Sequence, residues 1–135
     1  MDLATLNVLL NSILVGIILI TQFVNYPLLK KIDQNFEIIH KEYTKKMGYV
    51  VAPIMTLEAF AVFSMYIYYP KNNNLILIMC LTLIIWLSTF FIQVPIHKTI
   101  SFKKNSKKVK KLITTNYIRT ISWCFKLYLS MLLIS

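Results

Sequence analysis

Two residues of opposite charge, Glu58 and Lys126, fall inside apolar segments of this chain, at the depth of the middle of a membrane. A charged side chain at the centre of a bilayer costs about 2.5–3.5 kcal/mol on insertion scales, and a partner of opposite charge offsets part of that cost. We therefore predict that Glu58 and Lys126 face each other. They would form either a catalytic pair at the floor of a polar pocket or a structural pair that fixes helix register.

Two histidines, His40 and His97, could bind a metal ion or a haem. Together with Glu58 they make the two-histidine, one-carboxylate set of non-haem iron sites, and two histidines alone can ligate haem. The three residues come from three separate segments and form no H-x-x-x-H motif, so the spacing is weak support. Haem b or non-haem iron is thus a hypothesis for the cofactor, with His40, His97 and Glu58 as metal ligands. A tolerated polar residue near the membrane surface is the alternative for each histidine.

Arg119 is the one arginine in a chain whose other basic residues are lysines. An arginine in this context indicates a need for bidentate binding of an anion, such as a propionate or a phosphate. Polar and aromatic residues recur around it at spacings of three, four and seven, which places them on single helix faces. The predicted cofactor-binding residues are His40, His97, Arg119, Asn116, Tyr43, Trp123, Gln93 and Asn25.

The elements that position these residues are four apolar segments. The chain is 57% hydrophobic with a mean hydropathy of +0.62, which is too apolar for a water-soluble domain of 135 residues. A membrane-spanning helix needs about 20 mostly apolar residues. The predicted spans are residues 3–29, 50–69, 75–94 and 115–134. We predict an all-α fold, a four-helix integral membrane bundle that forms a single transmembrane domain over residues 1–135.

The net charge of +10 comes from lysines in two long connections between these segments. The first connection holds Lys30, Lys31, Lys41, Lys45 and Lys46, and the third holds Lys98, Lys103, Lys104, Lys107, Lys108, Lys110 and Lys111. The opposite side has Lys71, so the positive-inside rule predicts that both connections are cytoplasmic and both termini outside. We expect a multi-pass protein of the bacterial inner (cytoplasmic) membrane whose lysines contact anionic lipid headgroups. This topology explains the charge without nucleic-acid binding.

The two connections differ in pattern. Apolar residues recur at helical spacing in the first one, at Ile32, Phe36, Ile39, Tyr43 and Met47. This pattern predicts an amphipathic helix over residues 32–47, lying along the membrane interface and ended by Gly48. Residues 101–111 show no apolar period, which predicts a solvated loop. Pro27, Pro53 and Pro95 lie near the cytoplasmic ends of the spans, where each can free a backbone carbonyl.

The chain resembles a group of uncharacterised small four-span bacterial membrane proteins. The resemblance rests on Asn25-Tyr26-Pro27, His40 with Tyr43, Pro53-x-Met55-x-x-Glu58, Gln93-Val94-Pro95-x-His97 and Asn116-x-x-Arg119-Thr120-x-x-Trp123. In that group arginine is usual at the position of Lys126, which still supplies a cation opposite Glu58. The resemblance implies the four-span fold and brings no established activity with it.

Three functions are compatible with these features. The first is a membrane-embedded redox protein or enzyme with a cofactor near the cytoplasmic interface. The second is a non-catalytic lipid or amphiphile binder, or a small transporter, that uses the same polar pocket. The third is an accessory subunit of a membrane complex, with the charge pair purely structural. Homo-oligomerisation is compatible with all three.

Overall fold

The computed structural model describes residues 2–135, and over that range it consists of four helices joined by short connections. Helix α1 runs over Leu3–Lys31, α2 over Phe36–Tyr68, α3 over Asn73–Phe102 and α4 over Ser106–Met131. The first three are long and apolar enough to cross a membrane. The predicted all-α fold is therefore confirmed for these residues. The fourth span and the sides of the termini stay predictions.

Three of the four helices begin at a side-chain cap. Asp2, Asn72 and Asn105 each accept a hydrogen bond from the backbone N–H three residues later. Such a cap is worth about 1 kcal/mol because it satisfies a helix N–H that has no partner within the helix. The remaining helix, α2, follows Asn35, which adopts a left-handed backbone conformation with φ 55°. Asparagine tolerates that conformation better than most residues.

The four helices pack as an antiparallel ring in which each contacts the next and α4 closes against α1. Both lysine-rich connections lie at one end, which we call the lysine-rich end, and both ends of the described chain, residues 2 and 135, lie at the opposite end, which we call the terminal end. Three apolar clusters fill the interior in successive layers. The layer at the lysine-rich end contains Phe36 and Ile100, the middle layer Leu14 and Trp123, and the layer at the terminal end Ile78.

The two connections are shorter than predicted. The predicted interfacial helix over residues 32–47, ended by Gly48, is wrong as a separate element because α2 is one continuous helix of 33 residues. A glycine inside a helix costs only about 1 kcal/mol, so it does not end a helix that is packed on both sides of it. The predicted loop over residues 101–111 is also too long. Helix α4 begins at Ser106 because Asn105 caps it and Val109 and Leu112 bury its apolar face.

Lys104 fastens the two connections to each other. Its ammonium contacts the carboxylate of Asp33 at 2.8 Å and donates to the carbonyl of Ile32, while its backbone N–H donates to Glu37 at 2.9 Å. The hydrogen bond and the charge of Lys104 hold the pKa of the Asp33 carboxyl below its usual value. This lysine is therefore a structural contact between connections, unlike the solvated residue that the charge pattern predicts.

Candidate functional site

The two charged residues at mid-helix depth form a buried ion pair, as predicted. The Lys126 ammonium contacts the Glu58 carboxylate directly, and their side chains are 0% and 2% exposed. Each residue lies about one helical turn beyond a residue of the middle layer, namely Met55 in α2 and Trp123 in α4. The pair thus lies on the terminal side of that layer. The assignment of Glu58 and Lys126 as a catalytic pair stays a prediction.

The histidines form a hydrogen-bonded chain with each other. His40 Nε2 lies 2.9 Å from His97 Nδ1, and the two rings are stacked with centroids 5.1 Å apart. On one side His40 Nδ1 lies 2.8 Å from Ser101 Oγ, and on the other side His97 Nε2 lies 2.9 Å from the Tyr26 hydroxyl. The chain of four side chains therefore joins α1, α2 and α3 near the lysine-rich end.

This arrangement contradicts the predicted metal ligand set. Glu58 follows His40 by 18 residues on one helix, which separates them by about 27 Å at 1.5 Å rise per residue. Glu37, one turn before His40, instead accepts the backbone N–H of Lys104. All four ring nitrogens of the two histidines already have partners, and residues 2–135 hold no group of three or more metal-ligating side chains. His40, His97 and Glu58 therefore cannot share one ion, and haem or iron binding stays an untested hypothesis.

A cleft of about 520 Å³ lies between α2 and α3, with α1 and α4 forming its floor. Its edges carry exposed residues, Gly48 and Ala52 on α2 and Phe90 and Val94 on α3, so it opens sideways from the bundle. Apolar side chains line most of it. The polar and aromatic lining residues are Thr21, Tyr26, Tyr43, Thr44, Trp86, Thr89, Gln93, His97, Lys98, Ser101, Arg119 and Trp123.

Arg119 is the one cation on the cleft floor, and it is only 8% exposed. Its guanidinium lies 5.2 Å from the centre of the Trp123 ring and close to the hydroxyls of Tyr26 and Tyr43. Within residues 2–135 its Nε–H has no hydrogen-bond partner, and neither does the indole N–H of Trp123. Two buried donors of cleft-lining residues thus lack a partner among the described residues.

Arg119 also has no carboxylate of its own, because the acidic residues are used elsewhere. The chain contains five of them. Glu58 pairs with Lys126, Glu42 with Lys46, and Asp33 and Glu37 with Lys104, while Asp2 caps α1 at the far end. A buried guanidinium without a counter-charge is costly, and burial of such a group normally requires an ionic partner.

The other predicted binding residues hold the cleft walls in place. The Asn25 amide donates to the Tyr43 hydroxyl at 3.3 Å, and the Asn116 amide donates to Gln22 at 2.9 Å. Gln93 lines the cleft and donates to Thr115 at 3.0 Å. Of the eight predicted residues, His97, Arg119, Tyr43, Trp123 and Gln93 line the cleft. The other three, His40, Asn25 and Asn116, lie behind this lining and contact residues around it.

Two π-helical turns, which sequence reasoning did not predict, shape the cleft. They occupy Thr21–Asn25 in α1 and Thr89–Gln93 in α3, each just before a proline. A proline has no N–H and its ring crowds the carbonyl four residues back, so the helix widens locally. After each turn the next N–H bonds to the threonine carbonyl five residues earlier. The common pattern, threonine, an amide four residues later and proline two after that, was the available signal.

Tyr26 is the site residue that sequence reasoning missed. It is the first residue after the π turn of α1, it is buried, and it contacts His97. Its neighbours Asn25 and Pro27 are typical of a helix end, whereas the π turn directs Tyr26 into the bundle.

Comparison of the chain with family models, with curated proteins and with solved structures gives no match. The resemblance to small four-span bacterial membrane proteins therefore stays a prediction, and the function has to be argued from the cleft itself.

Proposed function

We propose that this is a multi-pass protein of the bacterial cytoplasmic membrane in which all four helices span the bilayer and the lysine-rich end faces the cytoplasm. Helix α4 is the least apolar of the four because it contains several polar and charged residues. Some of these, such as Asn116 and Lys126, are buried inside the bundle. Its outward face carries exposed apolar residues, among them Ile121 and Phe125. A helix with that distribution is suited to lipid on the outside.

The sidedness has a direct test. In a background without Cys80 and Cys124, a cysteine placed at Lys71 should react with a membrane-impermeant maleimide added to intact cells. A cysteine at Lys107 should react only after the membrane is opened. Reaction of Lys107→Cys in intact cells would show that the lysine-rich end faces outward, which contradicts the proposed orientation.

The function we propose is binding of an amphiphile with an apolar tail of one or two chains and one monoanionic head. The observation that carries it is the buried Arg119, which lines the cleft, has an Nε–H without a partner and has no carboxylate of the chain beside it. A carboxylate or a phosphodiester would pair with two N–H groups of this guanidinium in a bidentate arrangement. The indole N–H of Trp123 is a further donor within the same wall.

The shape of the cleft supports the same ligand class. A volume of about 520 Å³ falls in the usual range for small-molecule pockets, about 300–1,000 Å³. The cleft opens sideways between α2 and α3, so a molecule dissolved in the membrane could enter without crossing water. Lysines at the lysine-rich end would add attraction for anionic lipid headgroups at the surface. Binding is favoured over a haem-based redox function because the histidine nitrogens already have partners.

The two tryptophans of the chain provide the assay, since both line the cleft. Bromine atoms quench tryptophan fluorescence at short range, so brominated amphiphiles report occupancy. We expect saturable quenching by 9,10-dibromostearate and by brominated phosphatidylglycerol at dilute concentration in detergent micelles. Dibromostearyl alcohol, which has the same chain and no charge, should quench without saturation.

Variants separate a site from general partitioning. Arg119→Gln should abolish the saturable component, and Lys71→Gln, a cation removed at the far end, should leave it unchanged. Equal, non-saturable quenching by acid and alcohol, unaffected by Arg119→Gln in a protein whose helix content is normal, would refute the proposed binding site.

A further inference from the structure

The four hydrogen-bonded side chains at the lysine-rich end form an unbranched path away from the cleft floor. Its order is Tyr26, His97, His40 and Ser101, with contacts of 2.9, 2.9 and 2.8 Å. Tyr26 lies at the end near Arg119, and Ser101 lies in the last turn of α3, where it is half-buried beside the lysine-rich connection. Ser101 also lines the cleft, so the path leads from the anion-binding floor of the cleft to its half-buried edge at the lysine-rich end.

Each neutral imidazole carries one N–H and one free nitrogen, and the path uses both nitrogens of both rings. Two proton arrangements satisfy every contact. In the first, Tyr26 donates to His97, His97 to His40 and His40 to Ser101. In the second, Ser101 donates to His40, His40 to His97 and His97 to Tyr26. The Tyr26 hydroxyl then donates to the Gln93 side-chain oxygen 3.5 Å away. A chain with two complete arrangements can pass a proton from one end to the other by switching between them.

We infer that this path is a proton relay for the head group of the bound amphiphile, which makes that amphiphile a long-chain carboxylic acid. The inference rests on the binding function proposed above and narrows it. The pKa of a carboxylic acid is about 4–5 in water and rises in a low-dielectric membrane, so the acid can gain and lose a proton there, whereas a phosphodiester stays ionised and has no use for a relay. The relay would let the acid enter from the membrane in its neutral form and be held as a carboxylate at Arg119.

The protons balance in a single pass. The neutral acid gives its proton to the Tyr26 oxygen as the Tyr26 proton moves to His97 Nε2. The Nδ1 proton of His97 moves to His40 Nε2, the Nδ1 proton of His40 moves to Ser101, and Ser101 releases its own proton to water. The products are a carboxylate paired with Arg119 and a relay in its second arrangement. Release of the acid follows the same steps backwards and restores the first arrangement.

The groups that face the head come from all four helices. They are Tyr26 from α1, Tyr43 from α2, His97 with Lys98 at the rim from α3, and Arg119 from α4. The two cations favour the carboxylate form of the ligand, and the lining contains no acidic side chain among the residues that the structure describes. Within this set the Tyr26–His97 contact is the one that continues to a second titratable group, His40, behind the wall.

The test uses palmitate with a ¹³C-labelled carboxyl group bound to the full-length protein in lipid nanodiscs. A light-triggered proton release lowers the pH, and time-resolved infrared absorption follows conversion of the bound carboxylate to the acid. His40→Gln keeps an amide that donates and accepts hydrogen bonds but cannot pass a proton. His40→Phe matches the stacked rings of Phe36 and His97 and removes the hydrogen bonds.

We expect both variants to bind dibromostearate as the wild type does, since His40 lies behind the cleft wall, and to slow protonation of bound palmitate about 100-fold or more. Lys71→Gln should leave the rate unchanged. His40→Gln keeps the hydrogen bonds of His40 but cannot pass a proton. A wild-type protonation rate in this variant would therefore show that the role of His40 is only structural, and would overturn the relay. Saturable binding of brominated phosphatidylglycerol without any binding of dibromostearate would overturn the ligand class while leaving the proposed binding function intact. Absence of saturable binding by either amphiphile would instead refute the binding function itself.

Discussion

The buried Glu58–Lys126 pair can be dissected by removing one charge, the other, or both. The variants are Glu58→Met, Lys126→Met and the double substitution, because methionine is apolar and similar in length to both side chains. With side chains 2% and 0% exposed, neither remaining charge can reach water without distortion of the helices. Each single variant therefore leaves a lone buried charge, whereas the double variant leaves none.

The magnitude follows from the cheapest escape of a lone charge, which is to become neutral. At pH 7 a carboxyl with the ordinary pKa near 4.3 takes up a proton at a cost of about 3.7 kcal/mol. An ammonium with the ordinary pKa near 10.4 gives up its proton at a cost of about 4.6 kcal/mol. Both figures agree with the loss of about 3–5 kcal/mol seen when one partner of a buried pair is removed. The free energy of unfolding of the double variant should be close to that of the wild type or higher.

The pH dependence gives each single variant its own signature. The cost in Lys126→Met, which leaves the carboxyl, should fall to about 1.6 kcal/mol at pH 5.5. The cost in Glu58→Met, which leaves the ammonium, should fall to about 2.6 kcal/mol at pH 8.5. The measurement is equilibrium unfolding in mixed micelles at three pH values, followed by far-UV circular dichroism.

The exposed pair Glu42–Lys46 on α2 is the matched control, and its variants should not change stability measurably at any of these pH values. Single Glu58 and Lys126 variants that unfold at the wild-type midpoint would refute the reasoning. So would single variants whose losses add up in the double variant, since additivity means that the two charges do not interact.

Three further perturbations test the cleft and its support. Gly48→Phe should abolish saturable quenching by dibromostearate with little loss of stability, because a Cβ at Gly48 meets nothing within 4 Å and the ring can fill the cleft mouth. Gln22→Leu should destabilise the protein by about 1–3 kcal/mol in the same unfolding assay, because it leaves the buried Asn116 amide without its acceptor. Pro95→Ala should let the π turn before it relax to an α-helix, which rotates His97 away from Tyr26. We expect this variant to keep its helix content and to lose the fast protonation of bound palmitate.

Apolar length and charge placement were sufficient to predict the helices, since these properties are local. The predicted third span ends at residue 94, directly before Pro95. The structure continues that helix to Phe102 because the π turn relieves the clash that the proline creates. The sequence contains the proline but does not show how the preceding turn accommodates it. The interfacial helix was mispredicted for a related reason, because Gly48 was given more weight as a helix end than its cost of about 1 kcal/mol justifies.

The ion pair was predictable from the sequence and the histidine chain was not. Glu58 and Lys126 are charges in apolar surroundings, and a need for mutual neutralisation holds whatever the exact packing. His40 and His97 do not require one particular kind of partner, because a neutral imidazole can bind a metal, a water molecule, a hydroxyl or another imidazole. Which of these occurs depends on where α2 lies relative to α3. A periodicity argument fixes the face of each helix but does not fix the register between two helices.

The two π turns show how one scaffold can present two different groups. In α1 the residues around Pro27 place Tyr26 and Leu29 in the buried layer at the lysine-rich end. In α3 the equivalent positions around Pro95 hold Val94, which is exposed at the cleft edge, and His97, which contacts Tyr26. The same bend thus supplies a hydroxyl from one helix and an imidazole from the other, and their contact depends on the difference between the two segments. Substitution of Leu29 within the apolar layer should therefore change stability, whereas substitution of His97 should change proton exchange with the bound acid.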